Sequence, residues 1–264
     1  MKPLVYLFLG VPGSGRREIL ADLLTDGLAA EDTPAVLLPA EEPETAADAG
    51  LPRTARWRWD EGTIAADGPA GVSHLFILTA GRRNPVDQLE AFKAWFALHR
   101  LELTRVICVL HGQLAARQPA LLPWYDACVH FADVVLVHRR EGLENKWLSG
   151  FLRHFEEQRL PCILELVKAG RVRNPALILE PQARRVSQAF DPEPEWIFTN
   201  AEGEEVDPEE EPVDDDEELT ATPAEDPYFE RRSGGRRVRE IPDVAAILDA
   251  DAAAAPNAGP AGGS

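Results

Sequence analysis

Residues 4–18 read LVYLFLGVPGSGRRE, an apolar run that breaks into a glycine-rich turn and then a helix start. Residues 4–9 are apolar on both faces, as in a central strand of a parallel sheet. The following segment predicts a helix, because its apolar residues recur at helical spacing from Ile19 to Leu24. A strand, a glycine loop and a helix in this order predict a phosphate-binding unit, since the loop amides and the helix N-terminus favour an anion.

The loop keeps only part of the Walker A pattern, which is Gly, four residues, then Gly-Lys-Ser/Thr. Arg16 stands where the pattern has the lysine that reaches the terminal phosphates, and Arg17 stands where it has the hydroxyl that ligates Mg²⁺. Both arginines would still attract phosphate. We therefore expect Mg²⁺-independent phosphate binding, and the alternative is a tight structural turn in an ordinary α/β domain. The other loop residues expected to contact the anion are Gly10, Gly13, Ser14 and Gly15.

Composition divides the chain into two parts. Its 264 residues are 45% hydrophobic, enough for one sizeable core. Residues 201–264 contain 19 acidic and 5 basic residues, and the run at 202–219 has 12 acidic residues among its 18 and no basic one. Such a run repels itself and buries little apolar surface. The sequence therefore predicts one domain at residues 1–198 and a disordered, acidic, low-complexity tail at 199–264.

Features of targeting and redox chemistry are few. The three cysteines, Cys108, Cys128 and Cys162, lie in or beside apolar runs without Cys-x-x-Cys spacing, which predicts reduced core residues. The N-terminal apolar stretch is too short for a signal peptide and lacks a cleavage site. No apolar run approaches the roughly 20 residues of a membrane span. These features predict a cytoplasmic protein.

Strand-like and helix-like segments alternate, which is typical of a parallel α/β sheet flanked by helices. The predicted strands are 4–9, 35–39, 55–59, 74–79, 105–110, 134–138 and 162–167, and the predicted helices are 16–26, 85–100, 122–131 and 144–158. We expect four inner strands, at 4–9, 74–79, 105–110 and 134–137. Ligands of such sheets bind outside the carboxyl ends of the strands.

Four segments that overlap the ends of predicted strands carry a family resemblance. They are HLFILTAGRRNPVDQL (74–89), VICVLHGQL (106–114), FADVVLVHRREGL (131–143) and VKAGRVRNPALIL (167–179). In order and spacing they resemble the CobW family of P-loop GTPases, relatives of the UreG and HypB maturation factors of metal enzymes. The resemblance covers roughly residues 1–180.

The resemblance implies GTP as the ligand and two further binding residues. The guanine-recognition motif Asn-Lys-x-Asp falls on 138–141, so that Arg139 replaces the lysine and Glu141 the base-reading aspartate. The family glutamate that organises Mg²⁺ falls on Leu78, which makes Mg²⁺ doubtful. The family Cys-x-Cys-Cys metal motif falls near 55–62, where no cysteine remains. Metal binding by that motif is not expected, and we name no catalytic residue.

Together these departures predict a pseudo-GTPase, a nucleotide-binding regulator or scaffold with little or no hydrolysis, because phosphoryl transfer depends on the metal. One alternative is an active GTPase or metallochaperone that uses other residues. Another is a protein-interaction module that binds no nucleotide.

The sequence indicates few partners besides the nucleotide. Residues 227–253 join a basic cluster to a short apolar helical patch, which could dock on an unknown protein or fold back on the acidic run. Trp57 and Trp59 alternate with arginines but lack a broader basic patch, so an amphipathic edge strand is favoured over a platform for bases. We expect neither a nucleic-acid nor a membrane partner.

Overall fold

A computed structural model describes residues 2–191, 196–200, 205–206, 220–223 and 225–254. The chain divides into two compact units. The first combines Met1–Val186 with Ile241–Ser264, and the second is Ser187–Glu240.

The first unit is built on an eight-stranded sheet. Its strands are β1 (Leu4–Leu9), β2 (Pro34–Pro39), β3 (Thr54–Asp60), β4 (Thr63–Ala65), β5 (His74–Leu78), β6 (Leu103–His111), β7 (Val134–His138) and β8 (Ile163–Leu166). Their order is β4-β3-β2-β5-β1-β6-β7-β8. All neighbours pair in parallel except β3 and β4, which form an antiparallel hairpin. The predicted mainly parallel sheet, with β5, β1, β6 and β7 inside it, is confirmed.

Helices flank this sheet. They are α1 (Arg16–Asp26), α2 (Pro85–His99), α3 (Gly112–Arg117), α4 (Leu122–His130), α5 (Asn145–Glu156), α6 (Pro175–Leu179) and α7 (Val244–Ala254), with 3-10 turns at Ala46–Gly50 and Pro119–Leu121. The start of α2 shows the local cause of a helix boundary. Asn84 accepts a hydrogen bond from the Val86 amide, and Pro85 occupies the first helical position.

The sheet is buried because its strands are apolar on both faces. Five of the six β1 residues are fully buried, and Leu7 lies between Ile77 of β5 and Val106 of β6. Apolar residues of α1 pack on this layer, among them Ile19 and Leu23. None of the helices that the structure describes is both long and apolar enough to cross a membrane.

Asp133 helps to hold residues 177–185, near the end of the Met1–Val186 part of this unit. Its fully buried carboxylate accepts from the amides of Val106 and Arg184 at 2.6 and 2.5 Å, and it pairs with Arg185 at 3.2 Å. Arg105, also fully buried, donates to the carbonyls of Leu177 and Gln182. These contacts hold residues 177–185 against β6.

The second unit contains a three-stranded antiparallel sheet and a short basic segment. Its strands are β9 (Trp196–Thr199), β10 (Glu205–Val206) and β11 (Thr220–Pro223), in the order β10-β9-β11. In the basic segment, Arg237 is buried and donates to the Tyr228 carbonyl, and Arg239 lies over the Tyr228 ring. The acidic run at 202–219 lies outside the described residues except for 205–206.

The region predicted as a disordered tail therefore differs in part from the structure. Besides these strands it contains α7, which belongs to the first unit, and the side chain of Val244 at its start is buried. Asp249 pairs with Arg82, and Asp251 pairs with Arg117 at 2.9 Å. The sequence indicated a short apolar helical patch here but not its place in the first unit, because the partners of its acids lie more than 130 residues earlier in the chain.

Candidate functional site

The candidate site lies at the carboxyl edge of the sheet, around the loop that follows β1. In the parallel sheet, β5 and β6 flank β1, so the loops after these three strands meet at the same edge. Gly81, in the loop after β5, approaches the glycine loop so closely that a Cβ on it would lie 2.7 Å from the Gly10 carbonyl oxygen.

The glycine loop depends on glycine at two positions in particular. Gly10 has φ +148°, and a Cβ there would lie 2.7 Å from the Val109 carbonyl oxygen. Gly15 has φ +95°, and its Cβ would lie 2.2 Å from Nδ1 of His138. A side chain fits neither the backbone angle nor the space, because L residues rarely adopt these φ values. The glycines predicted from the sequence thus permit the close packing of this loop.

Polar groups at the start of α1 remain available to an anion. The first amides of a helix have no intrahelical acceptor, and the Ile19 amide makes the first such bond, to the Gly15 carbonyl at 3.0 Å. The hydroxyl of Ser14 is buried and has no hydrogen-bond partner among the described residues. It faces the inside of the loop, 3.0 Å from the place of a Cβ on Gly10. These donors fit a phosphate group.

The last residue of β7 and the residue after it bind backbone carbonyls of the loop. Nδ1 of His138 lies 2.8 Å from the Ser14 carbonyl oxygen, so this nitrogen carries the proton and donates. Nε of Arg139 donates to the Gly13 carbonyl at 3.3 Å, and its guanidinium pairs with Glu18 at 3.1 Å. The predicted site residue Arg139 is therefore brought to the loop.

Glu141, the second residue assigned from the guanine motif, lies two residues further along and is exposed. Its backbone carbonyl accepts from Nε2 of Gln113 at 2.8 Å, which ties this turn to α3. A base recognised by the Glu141 carboxylate would lie beside the end of β7.

Arg16 does not face an open phosphate site. Its guanidinium is 4% exposed and donates to the Thr79 carbonyl and to Oε1 of Glu42, the latter at 2.6 Å. The same Oε1 accepts from the Gly81 amide at 2.8 Å. Arg16, at the position of the Walker lysine, therefore contacts a carboxylate of the chain itself as its anion.

Arg17 is held in the same way. Its Nη1 lies 2.9 Å from Oδ1 of Asp48 and 2.8 Å from the Pro43 carbonyl oxygen, while Nη2 lies 3.3 Å from Oε2 of Glu42. A buried guanidinium requires such partners, because an unpaired buried charge is strongly destabilising.

Arg56 of β3 completes this group, which we call the arginine–carboxylate cluster and define as Arg16, Arg17, Glu42, Asp48 and Arg56. Nη1 of Arg56 donates to the Glu42 carbonyl, and Nη2 pairs with Asp48, both at 3.2 Å. Glu42 and Asp48 were not predicted from the sequence. The signal available was the acidic stretch EEPETAAD at 41–48, directly after β2.

The residues around the loop do not fit Mg²⁺. The usual hydroxyl ligand of Mg²⁺ is replaced by the cationic Arg17, and the side chain of Leu78, fully buried in the apolar core, has no oxygen to offer. In the part of the chain that the structure describes, no group of three or more His, Cys, Asp or Glu side chains is placed to hold a metal ion.

The tryptophan pair on β3 is structural, and β3 is not the predicted edge strand, because β4 pairs along its outer side. Trp57 is 1% exposed, packs edge-on against Phe92 and donates its indole N–H to the Leu78 carbonyl at 2.8 Å. Trp59 lies under the guanidinium of Arg83, which pairs with Glu41. Trp57 therefore supports the end of β5 rather than a base.

A histidine beside the site is held neutral. Nδ1 of His111 accepts from the Leu114 amide at the start of α3. The pKa of His111 is lowered from 6.5 to about 4, first because the ring is buried and then because Arg117 and Arg139 are nearby cations. Arg117 also holds the pKa of Asp251 below its usual range through their hydrogen bond.

A glycine loop between a buried parallel strand and a helix, at the carboxyl edge of the sheet, defines an α/β protein of the P-loop type. No protein-family model and no curated protein matches the chain. Solved structures resemble it only remotely, and two of them are structures of the YjiA GTPase. A Zn(II)-bound triple mutant of the YjiA GTPase is 15% identical over 76% of this chain and 72% of that one, with a TM-score of 0.41. The Zn(II)-bound YjiA GTPase from E. coli gives the same identity and coverage, with a TM-score of 0.39. Likeness at this level assigns neither family nor function.

Proposed function

We propose that this protein is a CobW-like P-loop nucleotide-binding protein, for a guanine nucleotide, that does not hydrolyse GTP in a Mg²⁺-dependent manner. It acts as a regulator or scaffold of a partner protein. The glycine loop supplies the phosphate contacts, and the end of β7 with Arg139 and Glu141 supplies the base contacts.

One observation carries the loss of hydrolysis. Arg16 and Arg17, at the positions of the lysine and the metal-ligating hydroxyl, are both bound to Glu42, and Arg17 also to Asp48. Phosphoryl transfer in P-loop enzymes needs the lysine on the terminal phosphates and the hydroxyl on the metal. Neither role is open to side chains that are engaged in this way.

The same cluster supports a second candidate, an interaction module that binds no nucleotide. Its arginines are neutralised inside the chain, so they need no bound phosphate for their stability. The unpartnered Ser14 hydroxyl favours the nucleotide-binding candidate over this one.

Titration of the purified protein with guanine nucleotides, in Mg²⁺ and in EDTA, separates the candidates. The proposal expects binding that EDTA does not weaken, together with no Mg²⁺-dependent release of phosphate from GTP. Absence of binding to any nucleotide would favour the interaction module. Mg²⁺-dependent turnover that Arg16→Ala abolishes and Arg82→Ala preserves would show an active GTPase, because Arg82 pairs with α7 outside the loop.

A further inference from the structure

We propose that the carboxylate of Glu42 occupies the place of a terminal phosphate, so that the site takes a nucleoside diphosphate and discriminates against the triphosphate. This inference rests on the proposed function, because it names the ligand of the same site. It depends on three observations, which are the donors on Glu42, the groups left without partners, and the local charge.

The donors on Glu42 are those expected around a terminal phosphate. Its Oε1 accepts from Arg16, at the position of the lysine that reaches the β- and γ-phosphates, and from the Gly81 amide beside the glycine loop. Its Oε2 accepts from Arg17, at the position of the hydroxyl that bears the metal. A carboxylate and a phosphate oxygen make the same charge-assisted bonds with guanidinium groups.

Glu42 is held in this place from both sides. Its side chain is 11% exposed, and Arg56 binds its backbone carbonyl at 3.2 Å. Its amide donates to the Pro39 carbonyl in the turn that follows β2. A ligand phosphate that displaced the carboxylate would have to break these bonds and leave a carboxylate close to its own charge.

The groups that lack a partner lie elsewhere in the loop. The buried hydroxyl of Ser14 faces the loop interior. The helix amides before Ile19 point to the same region and carry the positive end of the helix dipole. The phosphates nearer the nucleoside can be bound there without displacing Glu42.

The local charge also disfavours a third phosphate. The arginine–carboxylate cluster sets three guanidinium groups against two carboxylates, so most of its positive charge is already compensated. A third phosphate would meet Glu42 as a like charge, and juxtaposed like charges at an interface are strongly unfavourable.

The test compares the affinities of GDP and GTP, measured by calorimetry in EDTA, for the wild type and for Glu42→Gln. The amide keeps the shape of the carboxylate and removes its charge. We expect the wild type to bind GDP at least about tenfold more tightly than GTP, and Glu42→Gln to close that gap by raising GTP affinity. The matched control is Glu41→Gln, which removes the same charge from the neighbouring residue that pairs with Arg83 at the surface, and which leaves the ratio unchanged.

The outcomes separate the inference from the proposed function. Equal or tighter binding of GTP by the wild type overturns the inference and leaves nucleotide binding in place. Binding of neither nucleotide by the wild type overturns the proposed function, and the inference with it. The ratio of the wild-type affinities for GDP and GTP decides the inference even if Glu42→Gln fails to fold. The same measurement with ADP and ATP shows whether the preference for the diphosphate extends to adenine nucleotides.

Discussion

The guanidinium of Arg16 and the carboxylate of Glu42 form an ion pair with an N–O distance of 2.6 Å, and their side chains are only 4% and 11% exposed. The pair joins the glycine loop to the turn after β2. Since an ion pair removed from water persists only when its partners satisfy one another, the two elements depend on each other for stability.

Removal of the Glu42 carboxylate is therefore expected to destabilise the fold. Glu42→Ala leaves Arg16 and Arg17 buried with fewer acceptors, and we expect the free energy of unfolding to fall by about 3–5 kcal/mol. Urea denaturation followed by circular dichroism measures it. The control is Glu41→Ala, which removes an exposed pair with Arg83 and should change stability by less than about 1 kcal/mol. Equal losses in the free energy of unfolding for the two variants would show that the buried pair contributes no more to stability than the exposed one.

The packing of His138 on Gly15 can be isolated with a second glycine. Gly15→Ala and Gly62→Ala both place a side chain at positive φ, +95° and +89°, but a Cβ on Gly62 meets nothing within 4 Å. We expect the strain at positive φ to cost about 1–2 kcal/mol at either site. Gly15→Ala should lose a further amount of about 1–3 kcal/mol, because His138 must leave the Ser14 carbonyl. Thermal or urea unfolding of the two variants compares them directly, and equal losses would contradict the contact.

Ser14→Ala tests whether the buried hydroxyl is kept for a ligand. An unpartnered buried polar group is unfavourable, so its removal should leave the free energy of unfolding unchanged or raise it by up to about 1 kcal/mol. The same change should weaken GDP binding. Ser187→Ala is the contrast, because the buried Ser187 hydroxyl accepts from the Ala189 amide and its loss should lower stability. A loss of stability without a loss of affinity in Ser14→Ala would assign the hydroxyl a structural role.

Protonation of His111 is expected to make the protein less stable in mild acid. Its pKa is about 4 when folded against 6.5 for the free side chain. Between these values the unfolded chain binds a proton that the folded chain does not, so the free energy of unfolding falls as the pH falls. Arg117, Arg139 and His138 all oppose the charged ring, and Asp251 favours it.

His111→Asn is the matched variant, since asparagine caps a helix as well and does not titrate. Its stability relative to the wild type should rise as the pH falls from about 7 to about 5, a range above most carboxylate pKa values. Denaturation at both pH values measures the difference. A constant difference would show that His111 titrates normally.

Much of the fold could be predicted from the sequence because its signals are local. The boundaries of β1, β7 and α1 agree with those predicted, since uninterrupted apolar runs and helical spacing define them. The third helix, α3, was missed because it is only six residues long and directly follows β6. The apolar patch of α7 was recognised as helical, but its place in the first unit was not predicted, because Asp249 and Asp251 bind Arg82, Arg117 and Gln118, which are distant in the sequence.

The candidate site was predicted only in part. The glycines were identified, and Arg139 does contact the loop, because these residues belong to a motif with fixed spacing. The spacing of this motif did not predict that His138 donates to the Ser14 carbonyl or that Glu42 accepts from Arg16.

The sequence by itself determined a parallel α/β sheet with a glycine loop and two arginines at its first strand end. Only the tertiary structure decided what those arginines bind. Glu42 and Asp48 lie 26 and 31 residues from Arg16 and Arg17 along the chain, and the order of the strands brings β2 and its turn to the same edge as the loop. A buried charge takes the nearest opposite charge in space, and distance in space is set by the packing of the whole sheet rather than by any local pattern of residues.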